Sequence, residues 1–179
     1  MYRKTMPMWR YPLTLLAVYG AFWLALAIDP VFRQDWLLEN LLVFAALPLL
    51  ILTYRRLRFS NFAYTCLFVF FVLHEIGAHY TYAQVPYDEW TQRLFGVSFN
   101  DLFGLSRNHF DRLVHFLYGA LLTPAIAELV EARTQPASPF WRAFLPCSLV
   151  VASSAFFELV ERFAALVLGG DLGAAYLGM

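Results

Sequence analysis

Residues 61–82, NFAYTCLFVFFVLHEIGAHYTY, decide what this chain is. From Phe62 to Leu73 the run is apolar save for Tyr64 and Thr65, and it then carries His74, Glu75 and His79 without a break. At about 1.5 Å per residue a helix of this length covers roughly 33 Å, enough for a hydrocarbon core of about 30 Å. An ionisable side chain inside such a span is costly unless paired, metal-bound or water-lined, roughly 2.5–3.5 kcal/mol for Asp, Lys or Arg on insertion scales. The stretch therefore predicts a transmembrane helix with a polar site built into one end.

The whole chain agrees. Its 179 residues are 60% hydrophobic and only 15% charged, with a mean hydropathy of +0.56. A soluble domain is about 45–50% apolar and about 25% charged. Eighteen Phe, ten Tyr and five Trp supply the aromatic load of membrane interfaces. Net charge is zero, with 13 basic and 13 acidic residues, which speaks against nucleic acid as a partner and against a basic membrane-surface patch. Cys66 and Cys147 read as small apolar filler, with no disulfide framework. The opening MYRKTMPMWR followed by an apolar run mimics a signal peptide, but no small-residue cleavage site follows, so the run reads as a retained helix.

Requiring apolar runs of about 20 residues gives an all-α bundle of about five spans in one integral membrane domain, 1–179. The spans are about 11–28, 36–54, 61–82, 111–130 and 140–168. Asp29-Pro30 stops the first, and Arg55, Arg56 and Arg58 close the second. The connection 83–110 contains Pro86, Gly96 and Gly104 and is expected to be an ordered outer loop with short helical turns. Arg3, Lys4, Arg10, Arg55, Arg56, Arg58, Arg133 and Arg142 fall on one side of these spans, while Arg33, Arg93 and Arg107 fall on the other among several acids. The positive-inside rule then puts the N-terminus in the cytoplasm and the C-terminus outside.

With that topology the polar residues converge on the outer half. Span three brings His74, Glu75 and His79, span four brings Asp111 and His115, span five brings Glu158 and Glu161, and span two brings Glu39 and Asn40. Glu75 and His79 are i,i+4, as are Asp111 and His115, and Glu158 and Arg162, so each pair shares a helix face. Antiparallel spans three and four would set His79 level with Asp111 and Glu75 level with His115. Such a carboxylate-and-imidazole set resembles the ligand sets of helix bundles and suits zinc, manganese or iron. HEIGAH is not the HExxH of zinc proteases, since its second histidine stands one residue too far. The same pairs also serve simply as interhelical hydrogen bonds, with no metal and no chemistry. His109 reads as a loop residue, Glu128 and Glu131 as solvated, and Tyr80, Tyr82 and Tyr87 as interfacial aromatics, with Tyr82 near enough to His79 to donate into a site.

Three blocks carry a resemblance: LHEIGAHYTYAQVPY (73–87), RNHFDRLVHFLYGALLTP (107–124) and FFELVE (156–161). Through them nearly the whole chain resembles the YjdF-like family of bacterial inner-membrane proteins, a family of unknown function. The segment Asp111–Phe116 is also similar to the Asp-Lys-x-x-His motif of VanZ-like membrane proteins, some linked to glycopeptide-antibiotic resistance. The first resemblance implies a Gly/Trp/Asp-rich segment and a sixth helix beyond Tyr176-Leu177-Gly178-Met179, with further Asp residues for the same outer face. The set in this chain is then expected to lack part of the family's polar complement.

The expectation for function is a multi-pass protein of the bacterial inner membrane with an outward-facing polar cavity. As an enzyme it would hydrolyse or transfer a group on a lipid or lipid-linked substrate. A divalent metal on Glu75, His79, Asp111 and His115 would activate water, His74 or Glu158 would act as base, and Arg107, Arg112 and Tyr82 would hold the substrate. Ion- or proton-coupled transport is the rival, weakened by the lack of an inverted repeat or broken helix pair. A structural subunit is the third reading. The oligomeric state is not written in the sequence. Topology is directly testable. In a background without Cys66 and Cys147, cysteine at Ser98 should react with an impermeant reagent in intact cells, and cysteine at Arg58 only after lysis. Labelling of position 58 from outside would invert the arrangement.

Overall fold

The computed structural model describes residues 9–168. Arg3 and Lys4 of the charge argument, the ending Tyr176–Met179 and the side chain of Glu161 lie outside the described residues. The described chain is entirely helical in its regular structure: α1 (Arg10–Leu26), α2 (Arg33–Thr53), α3 (Asn61–His79), α4 (Tyr87–Phe95), α5 (Phe99–Phe103), α6 (Phe110–Thr134) and α7 (Pro139–Leu168). Four of these, α2, α3, α6 and α7, are long and apolar enough to cross a membrane, and α1 is a shorter apolar helix of 17 residues. Large apolar side chains such as Leu24, Leu52, Phe116, Phe156 and Phe163 stand exposed along them. A soluble protein hides that surface, whereas lipid accepts it.

Local chemistry explains the boundaries. After α1, Asp29 takes a left-handed φ of 52°, which its short polar side chain tolerates, and Pro30 prevents continuation. Ser60 caps α3, its hydroxyl accepting from the Ala63 amide at 3.1 Å. The connection 83–110 holds α4 and α5, ended by Gly96 at φ 72° and Gly104 at φ 62°. Asp88 ties the two together, accepting from the Ser98 hydroxyl at 3.0 Å and the Asn100 amide at 2.8 Å. Tyr87 donates to Asn100 Oδ1 at 2.7 Å and accepts from the His109 amide at 3.1 Å. Asn108 donates to the Val85 carbonyl at 2.8 Å and receives the Phe110 amide at the start of α6.

By its internal contacts the chain divides into two compact units, Met1–Ala125 and Ile126–Met179. In the first, α1 and α2 both pack on α3. Its core joins Tyr19, Val43, Phe70, Phe71, Val85, Phe110 and Val114. The α1–α2 turn docks on the end of α3, where the Val31 amide donates to the His79 carbonyl at 3.0 Å. In the second, Arg142 pairs with Glu131 at 3.3 Å and donates to the Pro136 carbonyl, bracing the α6–α7 turn.

The end of α3 is shaped by tertiary contact. Thr81 and Tyr82 both adopt φ 55°, a region costly for non-glycine residues and most of all for a β-branched one. This turns the Tyr82 ring back over Gly77, and the Tyr82 amide donates to the Gly77 carbonyl at 2.7 Å. A Cβ at Gly77 would come within 2.6 Å of Tyr82 Cδ1 and Cζ. Gly77→Ala should therefore destabilise the protein by about 1–3 kcal/mol as an overpacking change. Gly20→Ala, where a Cβ meets nothing, should not. Thermal unfolding in detergent compares the two, and equal melting would refute the close approach.

Candidate functional site

At the end of the first unit where α1 and α3 finish and α2 begins, polar side chains are buried among helices. Trp36 and Asn40 are i,i+4 on α2 and face α1 and α3 together. The Trp36 indole donates to Glu75 Oε1 at 2.7 Å. Asn40 donates to the Trp36 carbonyl at 2.9 Å and accepts from the Trp23 indole at 2.6 Å. Trp23 and Trp36 also touch, with ring centroids 5.5 Å apart. Glu75 is 0% exposed, so nothing from solvent reaches the carboxyl group. Its second oxygen and the Tyr19 hydroxyl are buried with no hydrogen-bond partner among the described residues.

His74 belongs to the same layer. Its Nε2 lies 3.2 Å from the Glu39 carbonyl, which only accepts, so this nitrogen carries the proton. Its Nδ1 lies 2.6 Å from the Tyr82 hydroxyl, which donates to it in the neutral ring. Phe70 stacks on the imidazole at 5.9 Å. Both ring nitrogens are therefore engaged within the fold. His79 turns the other way, donating from Nδ1 to the Leu26 carbonyl at 2.8 Å and stitching α3 to α1.

Asp111 and His115 form the i,i+4 pair expected of them, with His115 Nε2 3.2 Å from Asp111 Oδ1. They are not buried: the His115 and Asp111 side chains are 39% and 57% exposed. Helix geometry gives the reason. The face of α6 that packs inward carries Phe110, Val114 and Tyr118, with Tyr118 against Phe70 at 5.5 Å and Phe110 against Tyr82 at 6.3 Å. Asp111 and His115 each stand one residue, about 100°, round from that face. Arg107 and Arg112 are exposed beside them, and their positive charges act on Asp111.

The four-ligand set expected from Glu75, His79, Asp111 and His115 is accordingly not assembled. Among the described residues no three His, Cys, Asp or Glu side chains are gathered as a metal site requires. Glu75 faces α2, His79 faces α1, and the Asp111–His115 pair faces away from both. Tyr82, expected near His79 as a substrate contact, reaches His74 instead. Glu158 is exposed on α7 in the second unit. Glu39 and Asn40 stand out in the sequence as polar residues within a span, whereas Trp23, Trp36 and Tyr19 do not, because aromatic residues in so apolar a chain point to membrane interfaces. The available signal was the i,i+4 spacing of Trp36 and Asn40 on the same span as Glu39. Cys66 is buried and Cys147 exposed, both as free thiols.

Comparison with known proteins agrees with this architecture. The model of the family described as "Predicted membrane protein (DUF2238)" matches residues 11–179. The inner membrane protein YjdF of Escherichia coli (strain K12) is 32% identical over 157 residues, covering 88% of this chain and 68% of that protein. No solved structure matches. The chain belongs to this family of multi-pass inner-membrane proteins, whose function is unknown.

Proposed function

We propose that the chain acts on a phosphate-bearing lipid or lipid-linked substrate, with Asp111 and His115 as its acid–base pair and Arg107 and Arg112 holding the phosphate. One observation carries the reading. In the first unit this carboxylate–imidazole pair is formed and accessible at once, beside two exposed arginines. Asp111 orients the ring and balances the imidazolium that forms during proton transfer. In a hydrolysis His115 takes a proton from water as its oxygen bonds to phosphorus, and returns that proton to the leaving oxygen, the lipid alkoxide of a phospholipid or the lipid phosphate of a diphosphate, as the old P–O bond breaks. The guanidinium groups offer planar paired donors to the phosphate oxygens. The pair supplies two protein ligands, short of the three that catalytic zinc sites use, so no step is assigned to a metal. The positive-inside argument directs this end of the unit outward.

The buried set has a different part in this proposal. Trp23, Trp36, Asn40, His74, Glu75 and Tyr82 hold α1, α2 and α3 in register and leave the chemistry to α6. The Trp23–Asn40, Trp36–Glu75 and His74–Glu39 bonds each join two helices, and the Tyr82–His74 bond fastens the turn after α3.

The two roles separate by substitution. Asp111→Asn and His115→Ala should melt like wild type, because an exposed ion pair contributes only about 0–1 kcal/mol. They should lose about 100-fold or more of any phosphate or headgroup release from vesicles carrying phospholipid and a polyprenyl diphosphate. Failure of the well-folded wild-type protein to release either product from either lipid would sink the enzymatic reading.

Trp36→Phe should behave oppositely. It takes away a donor to a fully buried carboxyl, so it should cost about 1–3 kcal/mol of stability. Its turnover per folded molecule should stay near wild type. A Trp36→Phe protein that melts normally but is inactive would reverse the assignment.

A further inference from the structure

The opposite end of the first unit, where α1 and α3 begin and α2 finishes, carries a second feature. A groove of about 270 Å³ runs along α1, α2 and α3, walled by Trp9, Leu50, Tyr54 and Tyr64 and floored by Tyr19 and Phe71. From Trp9 to Tyr19 it follows ten residues of chain, most of them α1, about 15 Å of helix. That is half of a hydrocarbon core of about 30 Å, the depth to which one leaflet's acyl chains extend. Its mouth is basic. The Arg58 guanidinium lies 5.5 Å over the Tyr54 ring and that of Arg10 lies 5.8 Å over the Trp9 ring, so two cations rest on rings that line the groove. Arg55 and Arg56 stand exposed on the adjoining turn. Neither 9–28 nor 54–64 contains an acidic residue, so these two segments carry only positive charge although the whole chain is neutral.

We infer that this groove binds one anionic phospholipid, an acyl chain along α1 and the phosphate against Arg10, Arg55, Arg56 and Arg58. Lipid tails are as apolar as the leucines they touch, so the groove wall by itself gives shape and little preference among lipids. Discrimination comes from the headgroup, since basic clusters beside spans attract anionic lipid by an increment for each Lys or Arg. The site lies at the other end of the unit from Asp111 and His115 and stands or falls separately from their assignment.

Native mass spectrometry of the full chain in mild detergent, offered equal phosphatidylglycerol and phosphatidylcholine, tests it. Wild type should retain close to one phosphatidylglycerol per chain in preference to phosphatidylcholine. The combined substitution R55Q/R56Q/R58Q should lower that preference on the order of tenfold or more. Leu16→Trp, which fills the groove wall, should reduce retention of both lipids, and Leu37→Trp on an exposed face should not. Rising salt should erode the preference in wild type alone, a reading that needs no variant to fold. Glycerol phosphate, a headgroup without tails, should not displace the bound lipid. Equal retention of the two lipids by wild type at low salt, or displacement by glycerol phosphate, overturns the inference.

Discussion

A carboxyl group with no access to water governs the first unit. Glu75 sits on α3 at 0% exposure, and the Trp36 indole bonded to one of its oxygens fixes where α2 must lie. Removing such a group from water is unfavourable by several kcal/mol unless it is well bonded. Helices satisfy their own backbone, and apolar contact barely distinguishes helix from lipid, so polar pairs select which spans adjoin. Trp36 thereby brings Asn40, and Asn40 brings the Trp23 indole of α1. The histidines complete the arrangement from α3, one toward α2 and one toward α1.

That order separates what local pattern determines from what packing determines. Apolar run length suffices to find the long helices, and the loop glycines suffice to mark the ends of α4 and α5. The concentration of His74, Glu75 and His79 near one end of α3 is equally plain in the letters. Their partners are not. Whether Asp111 meets Glu75 depends on how far α6 is rotated about its axis, and that follows from Phe110, Val114 and Tyr118 seeking the aromatic surface of α3. A heptad-like count cannot weigh those rings against two charges. Tryptophan misleads in the same way, because its composition signal points to interfaces while Trp36 spends its indole deep within the unit.

The polar layer and the α6 pair show two uses of the same residue types. His74 has both nitrogens engaged in the fold, whereas His115 keeps an accessible pairing with Asp111. Burial therefore sorts the histidines more sharply than sequence spacing does. The arginines divide likewise: Arg58 and Arg10 rest on aromatic rings, and Arg142 braces a turn against Glu131.

The paired left-handed residues after α3 bear on how long this span is. Nothing in His79-Tyr80-Thr81-Tyr82 is a helix breaker, and Pro86 is the first residue beyond Gly77 that must interrupt a helix. Left to its own preferences α3 would run on for another turn or more. It halts at His79 because the Tyr82 hydroxyl finds His74 and its ring finds the gap above Gly77. The length of α3, and with it the thickness of bilayer the helix can reach across, is thus metered by a side-chain latch, a tyrosine folded back on it.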